Sequence, residues 1–196
     1  MKRLFLFDFD GTITKKDSLF EFLRFVTPNW KFLLGLTIFL IPFGFAKIRA
    51  LDRGKIKERF ISFYLKGKAR HFLENKAEEF LQILISSQRF RGGALDAIKN
   101  ANSIGETYIV TASLDIWMEP IAKYLKTGLI CTRTKFENDY YSGYFEGKNC
   151  NYGEKLKRVQ MELDMQSYSR IVYYGDSEGD LAMKEIVDEF HMKKFK

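Results

Sequence analysis

The chain has 196 residues, 32 Lys and Arg against 25 Asp and Glu, a net charge of +7, and a hydrophobic fraction of 46%. That length holds one domain with a sizeable insertion or two small ones, and the composition excludes a disordered or low-complexity chain. Two cysteines without a CxxC and two histidines exclude a zinc framework and a disulfide scaffold, which fits a reducing compartment. The apolar stretch between Arg3 and Asp8 is too short for a signal-peptide core, so a cytoplasmic protein is expected.

Charge divides the chain: residues 15–91 carry a net of +9 and the remainder a net of −2. A shift of this size predicts two units with different tasks.

In chain order, RLFLFD (3–8) reads as a short strand buried on both faces and ending in acids. DGTITKKDS follows as a loop, with Ser18 as a cap for a helix over 19–26. Apolar spacing predicts helices over 52–66, closed by Gly67, and over 68–88. Gly92-Gly93 is punctuation, residues 94–102 read as helix, TYIV (107–110) as a strand and 115–126 as a helix. LICTRTKF and DYYSGYF have hairpin character, with turn residues near Asn138 and Gly143. Residues 154–165 read as helix, RIVYYGD as a strand ending in an acid, and 179–187 as helix. Strands alternating with helices on either side of a helical block predict a parallel α/β core with a helical insertion.

Three strand endings concentrate the polar chemistry: FLFDFDG, YIVTAS and VYYGDSEGD. Ligands of open parallel sheets bind at the carboxyl ends of the strands. Asp8 and Asp10, two apart, point the same way if the strand continues through them, and such a pair repels unless a cation lies between them. Asp176 and Asp180 add acids after a third strand. Hard oxygen donors of this kind suit Mg²⁺, and a carboxylate is also a competent nucleophile towards phosphorus. Taken singly, each acid reads as a solvated turn residue or helix cap; four, gathered at two of the three apolar strand ends, do not.

Together DFDGTIT, the Thr of IVTAS, the Lys of NCNYGEKL and GDSEGD resemble the four motifs of the haloacid dehalogenase superfamily, in its phosphoserine-phosphatase-like branch. The resemblance covers essentially the whole chain. It implies a Rossmann-like parallel sheet, with residues 1–14 and 91–196 as catalytic core and a mainly helical cap domain over 15–90. It implies a Mg²⁺-dependent phosphomonoester phosphatase in which Asp8 takes the phosphoryl group and Asp10 protonates the leaving alcohol, then activates water. Thr111 would bond a phosphate oxygen, helped by Gly11, Thr12, Ala112 and Ser113. Lys155 would neutralise phosphate charge and hold Asp8. The metal would sit on Asp8, the Asp10 backbone carbonyl and Asp176, with Asp180 behind them. Gly153 and Glu154 single out Lys155 over Lys148 and Lys157, which read as surface residues.

Three positions depart from phosphoserine phosphatases: Asp17 replaces a Glu that contacts the substrate ammonium, Gly11 replaces a Ser, and Gly179 stands where an Asn is usual. Asp17 also reads as a helix N-cap. Residues 32–46 carry no charge and eleven of the fifteen are apolar, short of the roughly 20 residues of a spanning helix. Pro42 and two glycines argue against a single straight helix. The run reads either as cap core or as an interfacial anchor. For the second, Lys31 and Lys47 bracket it, and residues 47–70 carry nine basic residues against Asp52 and Glu58. Apolar and polybasic segments together bind anionic bilayers. A dimer contact would cover such a run equally well.

Some members of the branch that resemble this chain here, and in Cys150-Asn-Tyr-Gly-Glu154-Lys155, dephosphorylate phosphatidylglycerophosphate. The expected substrate is therefore a phospholipid phosphate monoester of that kind, with phosphoserine or another small soluble phosphate as the alternative. A peripheral position on the inner face of the membrane, through residues 32–70, goes with the first. No nucleic acid is expected, because the aromatic residues sit in apolar runs and no nucleic-acid motif is present. A non-catalytic role in binding an anionic ligand or nucleic acid would leave all four aspartates idle.

Overall fold

The computed structural model describes residues 2–48 and 52–196, with side chains at 2–41 and 52–196. Six strands form one sheet in the order β4-β3-β2-β1-β5-β6. β1 (Lys2–Phe7) lies between β2 (Gly105–Leu114) and β5 (Tyr168–Gly175) and is parallel to both. β3 (Gly128–Glu137) extends the sheet in parallel beyond β2, and β4 (Tyr140–Glu146) returns antiparallel through a turn at Asn138 and Asp139. β6 (Glu189–Met192) closes the other edge.

Strand alternation sorts β1 onto two faces. Phe5, Phe7 and Phe9 enter the larger core cluster, while Leu4 and Leu6 enter a second one with Val159, Tyr173 and Met183. Four helices lie between β1 and β2: α1 (Ser18–Val26), α2 (Asn29–Ile48), α3 (Arg53–Leu65) and α4 (Arg70–Ser86). The chain enters and leaves this helical block side by side. Lys15 N–H donates to Arg89 O at 3.0 Å and Arg91 N–H to Ile13 O at 2.8 Å, with Thr14 and Phe90 paired between them. A second tie joins the block to the hairpin: Gly67 N–H donates to Tyr141 O (2.9 Å), Tyr141 N–H to Lys68 O (3.0 Å), and Phe145 N–H to the Glu58 carboxylate (2.7 Å). The remaining helices are α5 (Gly92–Ile104), α6 (Asp115–Leu125) and α7 (Gly153–Glu162).

Five sequence readings are corrected. Of the two caps read for α1, Asp17 holds and Ser18 does not: the Asp17 side chain accepts from Leu19 N–H at 2.9 Å, while the Ser18 hydroxyl is buried and engaged elsewhere. Residues 178–185 form a 3₁₀ helix rather than an α-helix over 179–187; both Asp180 oxygens are held by the preceding loop and by α7, which tightens the turn. Gly143 lies inside β4, not in the hairpin turn, where the extra residues of a β-bulge sit opposite Thr134 to Phe136. β6 is an additional strand, too short at four residues to show a period. The break expected at Pro42 is absent: α2 runs as one helix from Asn29 to Ile48. Its first thirteen residues precede the proline and are supported by packing on α3, Phe32 and Phe39 lying against Phe60, Phe63 and Tyr64.

Packing leaves the other side of α2 bare. Trp30, Leu34, Ile38 and Ile41 follow one another at three- and four-residue steps, with Leu33 beside them, and all are exposed, Trp30 at 69% and Ile41 at 65%. Over its described side chains, residues 29–41, the helix is apolar on nearly every side, and one face is covered. Among the described residues, no helix is long and apolar enough to cross a membrane.

Candidate active site

The carboxyl ends of β1, β2 and β5 open into a cavity of about 410 Å³, lined by Asp8, Asp10, Gly11, Asp17, Thr111, Ala112, Ser113, Lys155 and Asp176. Of the residues singled out in the sequence, Thr12 and Asp180 lie just behind this wall, both buried.

Asp8 follows Leu4 and Leu6 onto the sheet face that α7 covers. There Lys155, buried on the first turn of α7, donates to Asp8 Oδ1 at 2.8 Å, to Asp180 Oδ1 at 2.6 Å and to the Tyr173 hydroxyl at 3.1 Å. Tyr173 in turn donates to Asp180 Oδ1 at 2.7 Å. Burial alone would depress the Lys155 ammonium, but Asp8, Tyr173 and Asp180 together hold it well above its ordinary range. Burial pushes Asp8 up to about 7, against the pull of Lys155. Asp180 also feels burial, yet its donors hold it below the usual carboxylate range.

Asp10 faces the other way. β1 ends at Phe7 and the chain turns, so the two carboxylates share the cavity without sharing a direction. Asp10 Oδ1 accepts from Ser18 N–H at 2.7 Å and Oδ2 from the Ser113 hydroxyl at 2.6 Å. Ser18 accepts from the Trp117 indole at 3.1 Å and lies 3.2 Å from Ser113. Since Ser113 gives its proton to Asp10, Ser18 must donate to Ser113, and the order Trp117, Ser18, Ser113, Asp10 is fixed by proton counting. Burial, then Asp17, raises Asp10 to about 6.

Glycines shape the loops around these acids. Gly11 adopts φ +80° and a Cβ there would come within 2.3 Å of Asp176 Oδ2, so a side chain here would strain the turn and displace the Asp176 carboxylate. At Gly179 a Cβ would meet Asn151 Oδ1 at 2.3 Å. The space that a side chain at 179 would take belongs here to Asn151, which also lines the cavity.

Thr111 Oγ1 accepts from Ser113 N–H at 3.1 Å, and Thr12 makes a long 3.5 Å contact with Asp8 Oδ2. Asp17 lines the cavity as well as capping α1. Sequence reasoning missed Lys57, Lys15, Lys16, Asn151, Ser18 and Tyr173. Lys57 had a legible signal, since it shares a helical stripe with Phe60, Ile61 and Tyr64. Tyr173 had one too, being two residues from Gly175 on the face opposite Tyr174.

The donor set fits a hard divalent cation. Asp8, Asp176 and Asp180 bring carboxylate oxygens within 4.8 Å of one another. Asp180 is already spent, with Lys155 and Tyr173 on Oδ1 and with Asp176 N–H, Ser177 N–H and the Ser177 hydroxyl on Oδ2. Asp8 and Asp176 remain, and Asp176 Oδ2 meets the Lys196 ammonium at 2.8 Å. The Asp10 carboxylate is not part of the set. Asp8 and Asp176 are thus the residues of this group that would hold Mg²⁺, with Asp180 ordering them from behind, while the Asp10 backbone carbonyl stays a donor that the family resemblance implies. The bound ion would draw negative charge from a phosphate oxygen.

A raised carboxyl pKa makes this testable without turnover. Between the unfolded value near 4 and about 7, folded Asp8 holds a proton that the unfolded chain lacks, so metal-free stability is lost as pH rises through that window. Cation and proton compete for the same oxygens. At ten times its Kd, Mg²⁺ is expected to add about 1.4 kcal/mol, roughly 3–6 °C in Tm, at pH 8, and clearly less at pH 5. Equal shifts at both pH values in differential scanning calorimetry would remove Asp8 from the ion's ligands.

The chain is similar to known proteins in sequence and in fold. The family model for haloacid dehalogenase-like hydrolases matches residues 5–185. Protein CicA of Caulobacter vibrioides is 35% identical over 191 residues, covering 95% of this chain and 83% of that protein. A Bordetella pertussis Tohama I protein of unknown function superposes with TM-score 0.85 at 22% identity, over 97% of this chain and 89% of that one. A phospho-aspartyl intermediate analogue of phosphoserine phosphatase superposes with TM-score 0.64 at 19% identity, over 97% and 93%. At these identities the solved structures show a shared fold.

Proposed function

The chain belongs to the haloacid dehalogenase-like hydrolase family, and from that premise we propose that it is a Mg²⁺-dependent phosphomonoester phosphatase working through an aspartyl-phosphate, on a phospholipid phosphate monoester such as phosphatidylglycerophosphate. The observation that carries the reaction class is the opposed pair of acids: Asp8 pinned by Lys155 at 2.8 Å, and Asp10 turned to the far side of the same cavity.

The pair divides the work. Asp8 attacks phosphorus through a carboxylate oxygen; the O–P bond to Asp8 forms as the P–O bond to the leaving alcohol breaks. Asp10, raised to about 6, gives its proton to the departing alkoxide. Water then attacks the aspartyl-phosphate, Asp10 takes the water's proton, and the Asp8–phosphorus bond breaks to release inorganic phosphate. Lys155 and the N–H groups of Gly11 and Ala112 receive the charge on the phosphoryl oxygens. Ser18 and Ser113 hold the Asp10 carboxylate, and a bond that favours the charged form keeps it ready as a base.

The helical block over 15–90 serves as the cap, tied at its root by the pairing of Thr14 with Phe90. The lipid part of the reading is supported by the bare face of α2, from Trp30 to Ile41, and by Arg53, Lys55 and Arg59, exposed on the helix packed beside it. A contiguous apolar face with cations next to it suits an anionic bilayer surface.

The test is phosphate release from phosphatidylglycerophosphate in mixed micelles, from phosphoserine and from an aryl phosphate, with an EDTA blank. Lipid turnover well above phosphoserine turnover is expected, with the lipid-to-aryl ratio falling at least tenfold in Trp30→Asp/Leu34→Asp. Phosphoserine turnover alone would make α2 ordinary cap structure, and inertness towards all three would end the hydrolase reading.

A further inference from the structure

Trp117, on the first turn of α6, is fully buried, and its ring stacks on Phe22 of α1 at 4.8 Å. A buried indole N–H needs an acceptor, and a backbone carbonyl would serve. Here the acceptor is the Ser18 hydroxyl, at 3.1 Å. A hydroxyl must itself donate. Ser18 lies 3.2 Å from Ser113, which donates to Asp10 Oδ2 at 2.6 Å. Three elements, α6, α1 and β2, thus supply one chain of donors that ends on an acid of the cavity. Ser18 and Ser113 are buried too, and neither Trp117 nor Ser18 lines the cavity.

The direction of this chain decides where the Asp10 proton can go. An indole N–H donates and never accepts. Run backwards, Asp10 would donate to Ser113 and Ser113 to Ser18. The Ser18 proton would then have no acceptor, because the partners of that hydroxyl among the described residues are Ser113 and the indole. An unmet donor in a buried site is costly. The backward chain would also spend the Asp10 proton on Ser113. Run forwards, the Ser113 hydroxyl takes one lone pair of Oδ2, and Ser18 N–H takes one of Oδ1 at 2.7 Å. Each oxygen keeps a second lone pair, so the proton that Asp10 carries stays outside the clamp.

We infer that Trp117 is a positioning residue for proton transfer to the leaving group: its indole N–H fixes Ser18, and through Ser18 and Ser113 it aims Asp10. The inference rests on the phosphatase reading above and adds a residue that never meets the substrate. In the step concerned, the P–O bond to the leaving group breaks and its electron pair stays on that oxygen. The Asp10 O–H bond breaks as the new O–H bond forms there. A carboxyl that turns its proton towards Ser113 fails at this step, while the attack of Asp8 on phosphorus does not depend on it.

Two aryl esters separate the steps, at fixed Mg²⁺ and pH. Phenol, with a pKa of about 10, needs a proton as it leaves phenyl phosphate. Dinitrophenolate leaves dinitrophenyl phosphate as a stable anion. kcat/KM covers the reaction only up to departure of the leaving group, so the later attack of water does not enter. Trp117→Phe keeps an aromatic ring against Phe22 and removes the N–H. The phenyl-to-dinitrophenyl ratio of kcat/KM should fall at least tenfold in this variant, a part of the roughly 10²–10⁴ that a general acid supplies. Ser18→Ala removes the hydroxyl and keeps the backbone N–H on Oδ1, and the same fall is expected. The double variant should fall no further than either single one, since both break one chain.

A merely structural role of Trp117 would lower both esters together, and an unchanged ratio in Trp117→Phe overturns the inference. Ser18→Ala carries the test if Trp117→Phe does not fold, and a wild-type ratio there overturns it equally. Falls that multiply in the double variant also overturn it, because two independent effects are not one chain. These outcomes spare the phosphatase reading; a wild type inert towards both esters overturns the two together.

Discussion

Asp8→Asn is expected to lower phosphate release by at least about 10³-fold, the scale on which enzymes lose turnover when a covalent nucleophile is removed. Asn has nearly the same size and keeps an acceptor oxygen for Lys155, so the cavity keeps its shape. What it lacks is the anionic oxygen that attacks phosphorus. The same substitution should not unfold the protein. Ionised Asp8 is held at a cost, since burial pushes it up to about 7, and Asp8→Asn removes that cost while Lys155 keeps Asp180. In metal-free buffer at pH 8 the variant should therefore melt no lower than the wild type. Loss of turnover with an undiminished Tm separates nucleophile from scaffold. Residual turnover above about 1% of wild type would show that Asp8 is not the attacking group.

Much of this site was legible in the chain because it lies where local rules are strong. A continuous apolar strand ending in Asp8 announces a buried strand with acids at its carboxyl end, and the same holds for Gly175 and Asp176 after β5. The parallel sheet and the helical block inside it follow from the alternation of periods. Residues that depend on packing were not legible. Ser18 read as a cap because Ser caps helices; in the structure Asp17 does that, and Ser18 is buried between Trp117 and Ser113. Lys57 stood in a basic run and read as part of a polybasic segment beside the apolar stretch, although helical spacing puts it on the same stripe of α3 as the buried Phe60, Ile61 and Tyr64. The region from 32 to 41 is a different case. A helix that is apolar all round gives no period from which to tell core from surface, so only the position of α3 shows that Phe32 and Phe39 are covered and Leu33, Leu34 and Ile41 are not. Gly179 looked like a missing polar side chain, and the structure shows that Asn151 takes that space.

Lys155→Met should produce the largest loss of stability available in this site. The ammonium is 2% exposed and sits between Asp8 and Asp180, themselves 7% and 1% exposed. Exposed ion pairs contribute little, but removing one partner from a buried pair leaves charge without compensation and costs about 3–5 kcal/mol. For a chain of this size that is roughly 6–20 °C in Tm. Met fills nearly the same volume as the lysine stem, so the loss would be electrostatic rather than a cavity. The sign of the pH dependence distinguishes the two. Without Lys155, the main pull against burial is gone from both carboxyls, so both folded-state pKa values rise. Folding then takes up protons, and the stability of the variant is lost as pH rises from about 4 upwards and regained on acidification. The gap in Tm between wild type and variant should accordingly be widest near pH 8 and narrow towards pH 5, whereas a packing defect would give the same gap at both. Followed by circular dichroism, a gap that does not move with pH, or one below about 2 °C at pH 8, would mean that Lys155 is not the charge that holds Asp8 and Asp180 together. Activity should fall with stability at pH 8, since the same ammonium that offsets the two acids also faces the phosphoryl oxygens, and acidification that restores the fold should not restore turnover.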